Sequence, residues 1–323
     1  MRFSFVVPIF KDSSLANDFC DSFLKTFQNY LGIEKIEDEV ELIFVCDDGT
    51  TDSVNTLREI CERFPFAGLI ELSRNFGQHA ALSCGYAHTS GEFVGMLNVD
   101  QEDPPDQIPV LIEALRGSDA EVALSLRQPG SLWSIRRLSS VAFNWLLNRA
   151  TGSEAPLRVG TLRVMRRAAV DHLNALKEGS RFLPGLESWF GFRTVYVETT
   201  QQPRQSGKSS YSLRRRLRMG FQAIVSFSDL PLRFVARLGL VVALVGFLLG
   251  GFLVVSKWLF TDYQPGYTST LAVIVFLGGV QIAVIGVASL YVGRILTEVQ
   301  RRPAWVIRST HKLGHSEEDN ESA

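Results

Sequence analysis

The most informative stretch of the sequence is Gly95-Met96-Leu97-Asn98-Val99-Asp100-Gln101-Glu102-Asp103-Pro104-Pro105-Asp106. An apolar run from Phe93 to Leu97 predicts a β-strand. That strand leads into three acidic residues within four positions and then into a double proline. Packing explains such a cluster poorly, because carboxylates are rarely buried unless they are paired or bound to a metal ion. We therefore expect a cation site where this strand ends.

Apolar strands alternate with helices on both sides of this stretch. Strands are predicted over residues 3–9, 40–46, 68–72, 93–97 and 120–126, and helices over 15–31, 53–64 (with Ser53 as its cap), 78–88 and 105–115. The alternation predicts an α/β fold, with a mostly parallel sheet that carries helices on both faces. Weaker patterns predict helices over 133–148 and 168–176 and strands over 162–165 and 193–198.

Polar clusters follow four of the predicted strands. They are Phe10-Lys11-Asp12, Asp47-Asp48-Gly49-Thr50-Thr51-Asp52, Ser73-Arg74-Asn75 and Asn98 to Asp103. Parallel sheets bind ligands beyond the carboxyl ends of their strands. The four clusters therefore predict one site along one edge of one sheet.

Charge and cysteine content exclude some classes of function. The formal net charge of the 323 residues is −1, which gives no support for nucleic-acid binding. Arginines cluster between Arg204 and Arg237, which indicates an anionic partner for the second half of the chain. The four cysteines are scattered without metal-ligand spacing, so neither a disulfide framework nor a zinc site is expected.

Two uncharged stretches, 238–255 and 268–293, are each long enough to cross about 30 Å of hydrocarbon. Two buried core helices are the alternative, and the flanking arginines favour the membrane. Those arginines are Arg233 and Arg237 before the first stretch and Arg294, Arg301 and Arg302 after the second. By the positive-inside rule, both termini and the large N-terminal domain are expected on the cytoplasmic side of the inner (plasma) membrane.

Residues 212–227 combine arginines at 214, 215, 216 and 218 with interleaved apolar residues. The pattern predicts a basic amphipathic helix in the plane of the lipid headgroups, and an ordinary solvated surface helix is the alternative. The polar residues 315–323 are expected to be disordered.

The order of the motifs resembles glycosyltransferase family 2. These motifs are Pro8-Ile9-Phe10-Lys11-Asp12, Asp47 to Asp52, Ser73-Arg74-Asn75-Phe76-Gly77-Gln78, Asp100 to Asp106, and Arg204-Gln205-Ser206-Gly207-Lys208-Ser209-Ser210-Tyr211, followed by the two apolar stretches. Within the family, the chain is similar to the polyprenyl-phosphate branch, which includes dolichol-phosphate mannosyltransferase and the bacterial undecaprenyl-phosphate (bactoprenol) glucosyltransferases. The resemblance implies a GT-A-type, Rossmann-like fold. It also implies a nucleotide-sugar donor, a polyprenyl-phosphate acceptor, and a homo-oligomer at the membrane.

The resemblance also implies roles for individual residues. On the donor side, Pro8, Asp12 and Asp48 are expected to line the base and ribose pocket, with Asp47 supporting its turn. Asp100 and Glu102 are expected to bind Mg²⁺ or Mn²⁺. Arg204 and Lys208 are expected in a loop that closes over the donor phosphates. Those on the acceptor side, expected to hold the lipid phosphate, are Arg127, Arg136 and Ser140.

Physical chemistry independently favours these assignments. A nucleoside diphosphate leaves readily only when its charge is neutralised, and Mg²⁺ commonly uses one or two carboxylates together with phosphates and waters. Arginine suits phosphate recognition through its forked donors. A phosphate monoester is mostly dianionic at neutral pH, so it needs orientation more than a general base. In-line attack on the anomeric carbon would invert its configuration.

Two positions depart from the pattern of the family. Asn98 stands where the family usually has the first acid of D-x-D, and we expect its side chain to orient donor hydroxyls or groups around the metal. Thr161 stands in Gly160-Thr161-Leu162-Arg163 where the family often has an acid, and Arg163 is interpreted as a phosphate contact. The nearby Glu102 replaces a frequent Gln and restores one negative charge.

The expected organisation is a cytoplasmic transferase domain over 1–203, a closing loop and juxtamembrane helices over 204–232, two membrane helices over 233–296, and a tail over 297–323. Two other functions remain open. A processive polysaccharide synthase shares the fold, but the Q-x-x-R-W motif of such enzymes is absent, since Gln300-Arg301-Arg302-Pro303-Ala304-Trp305 has the wrong spacing. A non-catalytic membrane scaffold would explain Asn98 and Thr161, but not the retained acids.

Overall fold

The computed structural model describes residues 1–127, 156, 159–176, 178, 183–200 and 266–313, together with single positions and short runs between 237 and 255. The chain divides into two compact units, one formed by Met1–Ser212 with Arg302–Ala323 and the other by Leu213–Arg301. The described elements of the first unit are β1 (Phe3–Ile9), a 3₁₀ turn (Ser13–Leu15), α1 (Ala16–Leu31), β2 (Val40–Cys46), α2 (Thr51–Arg63), β3 (Ala67–Leu72), α3 (Gln78–Ala87), β4 (Phe93–Met96), a 3₁₀ turn (Pro105–Gln107), α4 (Ile108–Arg116), β5 (Val122–Arg127), β6 (Val159–Arg166), α5 (Arg167–Ala175), α6 (Leu183–Phe190), β7 (Thr194–Thr199) and β8 (Ile307–His311). In the second unit, α7 covers Tyr267–Val299.

The strands form one sheet in the order β7-β5-β6-β4-β1-β2-β3-β8. Strands β7, β5, β4, β1, β2 and β3 run in the same direction, and β6 and β8 run against their neighbours. The predicted α/β fold with a mostly parallel sheet is therefore confirmed.

The core forms where α1 packs on the centre of the sheet. Phe19, Phe23 and Phe27 recur every four residues, so they share one face of α1, and all three are buried. The ring of Phe5 on β1 lies 5.4 Å from that of Phe23 and 5.3 Å from that of Phe27. Each such aromatic pair adds roughly 0.5–1.5 kcal/mol beyond the burial of its area, which fixes β1 beneath the helix.

The strand order changes direction at β1, because β2 and β3 lie on one side of it and β4 on the other. Pro8 lies in β1 beyond the last bridge between β1 and β4, which joins Val6 to Met96. A proline has no N–H to donate to a neighbouring strand, so it fits where β4 has already turned away into the acidic loop. A crevice at such a point is where open α/β sheets bind their ligands.

Two elements of the first unit were not predicted from the sequence. Strand β8 pairs antiparallel with β3, and α6 precedes β7. In β8 the sequence Ile-Arg-Ser-Thr-His is mostly polar, and its pairing partner is more than 230 positions away. Hydrophobic periodicity carries no signal for such an edge strand.

The second unit contains one helix long and apolar enough to cross a membrane among the described residues. This segment of α7 is Phe276–Val299, with a mean hydropathy of 1.8 and an apolar window that is 0% buried. It overlaps the second predicted span. A shorter apolar helix, Arg237–Gly246, overlaps the start of the first predicted span, whose other residues are mostly outside the described part. The predicted helices over 133–148 and 212–227 and the predicted disordered end over 315–323 also lie outside it.

Candidate active site

The carboxyl ends of β1, β2, β3 and β4 bring the four polar clusters to one edge of the sheet, as the sequence predicts. The residue after Phe10, Lys11, has a positive φ of 67°, and exposed Asp12 follows it before the 3₁₀ turn. The backbone N–H of Lys11 donates to Asp48 Oδ2 over 3.2 Å. This bond ties the end of β1 to the end of β2, and so brings the segment between Pro8 and Asp12 to Asp48.

Asp48 is held by several hydrogen bonds in addition to that from Lys11. The hydroxyl of Ser53 donates to Oδ2 over 2.6 Å, and the Thr50 N–H donates to Oδ1 over 3.0 Å. Burial alone would raise the pKa of Asp48, but the bonds from Ser53, Thr50, Cys46 and Lys11 outweigh it and hold the pKa below its usual range. The carboxylate is therefore fixed in its charged form. Ser53, predicted as the cap of α2, instead braces this carboxylate, and the helix begins at Thr51.

Asp47, the residue before Asp48, is buried, and its carboxylate bonds to a different loop. Its oxygens accept the backbone N–H groups of Phe76 over 2.7 Å and of Gly77 over 2.8 Å. Gly77 has a φ of 94°, a conformation that favours glycine. Burial raises the pKa of Asp47 although both hydrogen bonds oppose the shift. Asp47 was predicted to support the turn after β2, but its carboxylate anchors the loop between β3 and α3.

The acidic loop after β4 is a tight turn in which the Asp100 carboxylate faces the backbone of Glu102. The Glu102 N–H donates to Asp100 Oδ1 over 3.3 Å, and Gln101 between them has a φ of 52°. Glu102 Oε1 lies 3.3 Å from Nη1 of Arg127, which ends β5. Arg127, predicted to hold the acceptor phosphate, thus lies next to a predicted metal ligand.

Asn98, one of the two departures from the family pattern, contacts the other. The Nδ2 of Asn98 donates to Thr161 Oγ1 over 3.1 Å, and Thr161 Oγ1 donates to Asp103 Oδ2 over 2.7 Å. Next to Thr161, Gly160 lets β6 approach β5 closely, because a Cβ there would lie 2.2 Å from Ser125 Oγ. The sequence marks Asn98 and Thr161 separately, but their contact depends on the antiparallel register of β4 and β6, which no local pattern reveals.

Arg163, interpreted above as a phosphate contact, forms a buried ion pair with Glu187 of α6 instead. Burial opposes the charged form of this guanidinium, yet the adjacent Glu187 carboxylate raises its pKa above the usual value. A guanidinium committed to a buried carboxylate is costly to withdraw. The structure therefore gives Arg163 a role in joining β6 to α6. The sequence missed this pair because α6 was not predicted.

A cation site here would rest on two carboxylates rather than on a full protein cage. Among the described residues, no three His, Cys, Asp or Glu side chains converge in a geometry that could hold a metal ion. Asp100 and Glu102 are hard oxygen donors two positions apart on one turn, which suits a Mg²⁺ or Mn²⁺ ion that takes its other oxygens from a diphosphate and water. These residues fit such a shared site. Arg136, Ser140, Arg204 and Lys208, also predicted for the site, lie outside the described residues.

Comparison with known proteins decides the family. The sequence profile described as Glycosyl transferase family 2 matches residues 4–173. This chain belongs to that family. The family 2 chain is therefore a glycosyltransferase, and its predicted place in the polyprenyl-phosphate branch is confirmed by its relatives.

One relative of the family 2 chain is the SfII prophage-derived bactoprenol glucosyl transferase of Shigella flexneri, which is 33% identical over 314 residues, covering 97% of this chain and 99% of the relative. Another is the undecaprenyl-phosphate 4-deoxy-4-formamido-L-arabinose transferase of Proteus mirabilis (strain HI4320), which is 28% identical and covers 95% and 93% of the two chains. Among solved structures, glucosyl-3-phosphoglycerate synthase from Mycobacterium tuberculosis, in complex with Mn²⁺, UDP and phosphoglyceric acid, superposes with a TM-score of 0.50. It is 17% identical and covers 69% and 76% of the chains, which supports the GT-A fold.

Proposed function

We propose that this family 2 glycosyltransferase moves a single sugar from a nucleotide-diphosphate sugar to undecaprenyl phosphate on the cytoplasmic face of the membrane. The observation that carries the proposal is the match over 97% of the chain to a relative named as a bactoprenol glucosyl transferase. The lipid-linked sugar would serve the modification of cell-envelope glycans such as lipopolysaccharide.

The donor would lie along the carboxyl edge of the sheet. Its nucleoside would occupy the pocket of Pro8, Asp12 and Asp48, and its diphosphate would lie at Asp100 and Glu102. A Mg²⁺ or Mn²⁺ ion held there supplies the positive charge that makes the diphosphate a better leaving group. The Mycobacterium tuberculosis synthase of similar fold was solved with Mn²⁺ and UDP, which supports a divalent ion in this branch of the fold.

The acceptor would be an ionised phosphate oriented by Arg127, Arg136 and Ser140, with Arg204 and Lys208 over the donor phosphates. One phosphate oxygen attacks the anomeric carbon as the bond from that carbon to the diphosphate breaks and its electron pair leaves with the diphosphate. The attack is in line, so the configuration inverts. Because the attacking oxygen is already ionised, the step needs no general base, and Thr161 in place of an acid is compatible with it.

The sheet itself supports an even number of membrane crossings. Strand β8, which follows α7, belongs to the same sheet as β1 to β7, which precede it. If α7 crosses the membrane, both ends of the excursion must return to one side, and a second crossing is required between residues 200 and 266. The uncharged stretch 238–255, which contains most of the apolar helix Arg237–Gly246, is the segment available for it. We therefore retain two membrane helices within 233–296 in the proposal, and the flanking arginines favour the cytoplasmic side for both termini.

The test is a labelling assay with membranes that contain the full chain. They are incubated with radiolabelled nucleotide sugars, undecaprenyl phosphate and Mg²⁺ or Mn²⁺. We expect label in a chloroform-soluble lipid, from which mild acid releases the labelled sugar. Membranes that contain an equal amount of the Asp100→Asn protein should give no labelled lipid. Label in a polymer would instead indicate a processive synthase. Failure of every common donor to label the lipid would favour a non-catalytic scaffold.

A further inference from the structure

We propose that Thr161 and Asp103 are positioning residues that orient the amide of Asn98 toward the sugar of the donor, and so take part in donor selection. The inference rests on the proposed function for the identity of the ligand. The hydrogen-bond chain from Asn98 through Thr161 to Asp103, here named the amide relay, carries it.

The direction of the amide relay follows from the chemistry of its members. A carboxylate only accepts hydrogen bonds, so the Thr161 hydroxyl must give its proton to Asp103. The Thr161 oxygen can then only accept from Asn98, and this requires the amide nitrogen rather than the amide oxygen to face it. Asp103 is buried, and its position is held by the turn that leads into Pro104 and Pro105. The orientation of the Asn98 amide is therefore set by a residue that it does not touch.

The relay leaves one acceptor of Asn98 available. With Nδ2 committed to Thr161, the Oδ1 atom points to another side, and no residue in the described part of the chain donates to it. Asn98 is partly exposed at the carboxyl end of β4, two positions before Asp100. An oriented amide oxygen at the ligand-binding edge of the sheet is suited to accept a hydrogen bond from a hydroxyl group.

The position of the relay along the sheet assigns that hydroxyl to the sugar rather than to the ribose. The strand order at this edge is β6, β4, β1 and β2. The nucleoside pocket lies at β1 and β2, the acidic loop follows β4, and Thr161 lies on β6. Three strand intervals of about 4.8 Å separate the two ends, roughly 14 Å in total. A nucleoside, a diphosphate and a sugar laid out in that order bring the sugar to Asn98 and Thr161.

The relay is tested by binding without lipid acceptor, so that the result is independent of transfer. The affinities of UDP and of UDP-glucose for the full chain in detergent with Mn²⁺ are measured by calorimetry for the wild type, Thr161→Val and Thr161→Ser. We expect Thr161→Val to weaken UDP-glucose by about three- to tenfold, the value of one neutral hydrogen bond, with UDP unchanged. Thr161→Ser keeps the hydroxyl and should restore the affinity. Thr194→Val, which removes a hydroxyl from β7 whose partner among the described residues is Phe192 O, is the matched control.

A double-mutant cycle separates positioning from general structure. If Thr161 acts through the amide, Thr161→Val should have no further effect on UDP-glucose binding in an Asn98→Ala background. An equal loss for UDP and UDP-glucose, no loss at all, or a full additional loss in the Asn98→Ala background would each overturn the relay. A wild type that does not bind UDP-glucose at all would overturn it too, while the labelling assay decides separately whether the chain transfers sugar.

Discussion

At the scale of single residues, neighbouring carboxylates in this site are prepared for different tasks by their surroundings. Asp47 is buried against backbone N–H groups and its pKa is raised, whereas Asp48 is surrounded by donors and its pKa is lowered. Pairs of titratable groups with pKa values pushed apart mark a division of roles. Here Asp47 holds a loop, and Asp48 stays charged at neutral pH where the nucleoside of the donor is proposed to bind.

This division predicts opposite pH dependences of stability. A raised folded-state pKa gives stability that is present at low pH and is lost as the pH rises through that pKa. The stability of the wild type relative to Asp47→Asn should therefore increase as the pH falls from 7 to about 4. A lowered pKa gives stability that is present at higher pH, so the wild type should keep a constant advantage over Asp48→Asn until the pH falls below about 4. Thermal unfolding of the full chain in detergent from pH 7 to 3 measures both. The prediction would be contradicted if, above pH 4, the stability difference between the wild type and Asp48→Asn changed with pH while the difference from Asp47→Asn stayed constant.

The ion pair of Arg127 and Glu102 predicts competition with the cation. In Arg127→Ala, the guanidinium no longer competes for Glu102, so Mn²⁺ should bind about two- to fivefold more tightly, the value of a partly exposed ion pair. Electron paramagnetic resonance of free Mn²⁺ gives the affinity. Arg116→Ala, which removes the same charge from α4, controls for long-range electrostatics, and Arg127→Lys should remain near the wild type. Unchanged or weaker Mn²⁺ binding in Arg127→Ala alone would argue against the shared carboxylate.

At the scale of elements, strand β8 pairs with β3 and forms the last strand on that side of the sheet. Its Arg308 reaches the buried Glu71 of β3 over 3.0 Å, and Ser309 Oγ donates to the same carboxylate over 2.7 Å. Arg308 also donates to Ser73 O, at the start of the loop that Asp47 anchors at its other end. The chain after α7 thus supports one of the polar clusters of the site.

Removing the Arg308 side chain should destabilise the sheet by about 1–3 kcal/mol, because the buried Glu71 carboxylate loses its nearest cation. Glu71→Gln in the same chain should recover most of that loss, since among the described residues only the more distant Arg58, 3.9 Å away, still pairs with the Glu71 charge when Arg308 is removed. Thermal unfolding of the four chains of this cycle measures the coupling. Arg193→Ala, which breaks an exposed pair with Glu121, should cost much less. A double mutant as unstable as Arg308→Ala would show that Glu71 is not the reason.

The sequence predicted those elements whose signal is local, and missed those whose signal is distant. Apolar runs such as Val40–Cys46 and the phenylalanine spacing of α1 identify the parallel sheet and its covering helices, and the polar clusters then follow at one edge. Strand β8 and the pair of Arg163 with Glu187 depend on partners that sequence periodicity does not specify. For the same reason, Asn98 and Thr161 were recognised as departures but not as neighbours.

At the scale of the whole molecule, the shared sheet predicts the membrane topology. If α7 and the stretch 238–255 both cross, a reporter fused after residue 323 lies in the cytoplasm and one inserted at residue 262 lies outside it. In a bacterial host, green fluorescent protein should therefore fluoresce at position 323, and alkaline phosphatase should be active at 262 but inactive at 323. Active phosphatase at both 262 and 323 would contradict the two crossings, because the two positions would then lie on the same side of the membrane.

Transfer of one sugar to a lipid phosphate is tested by the stoichiometry of the reaction products of the purified full chain. Nucleoside diphosphate released and labelled lipid formed are measured together, with and without undecaprenyl phosphate and Mn²⁺. We expect equal amounts of the two products and no release of nucleoside diphosphate when either the lipid or the metal is withheld. Release without labelled lipid, or no release with any nucleotide sugar, would contradict it.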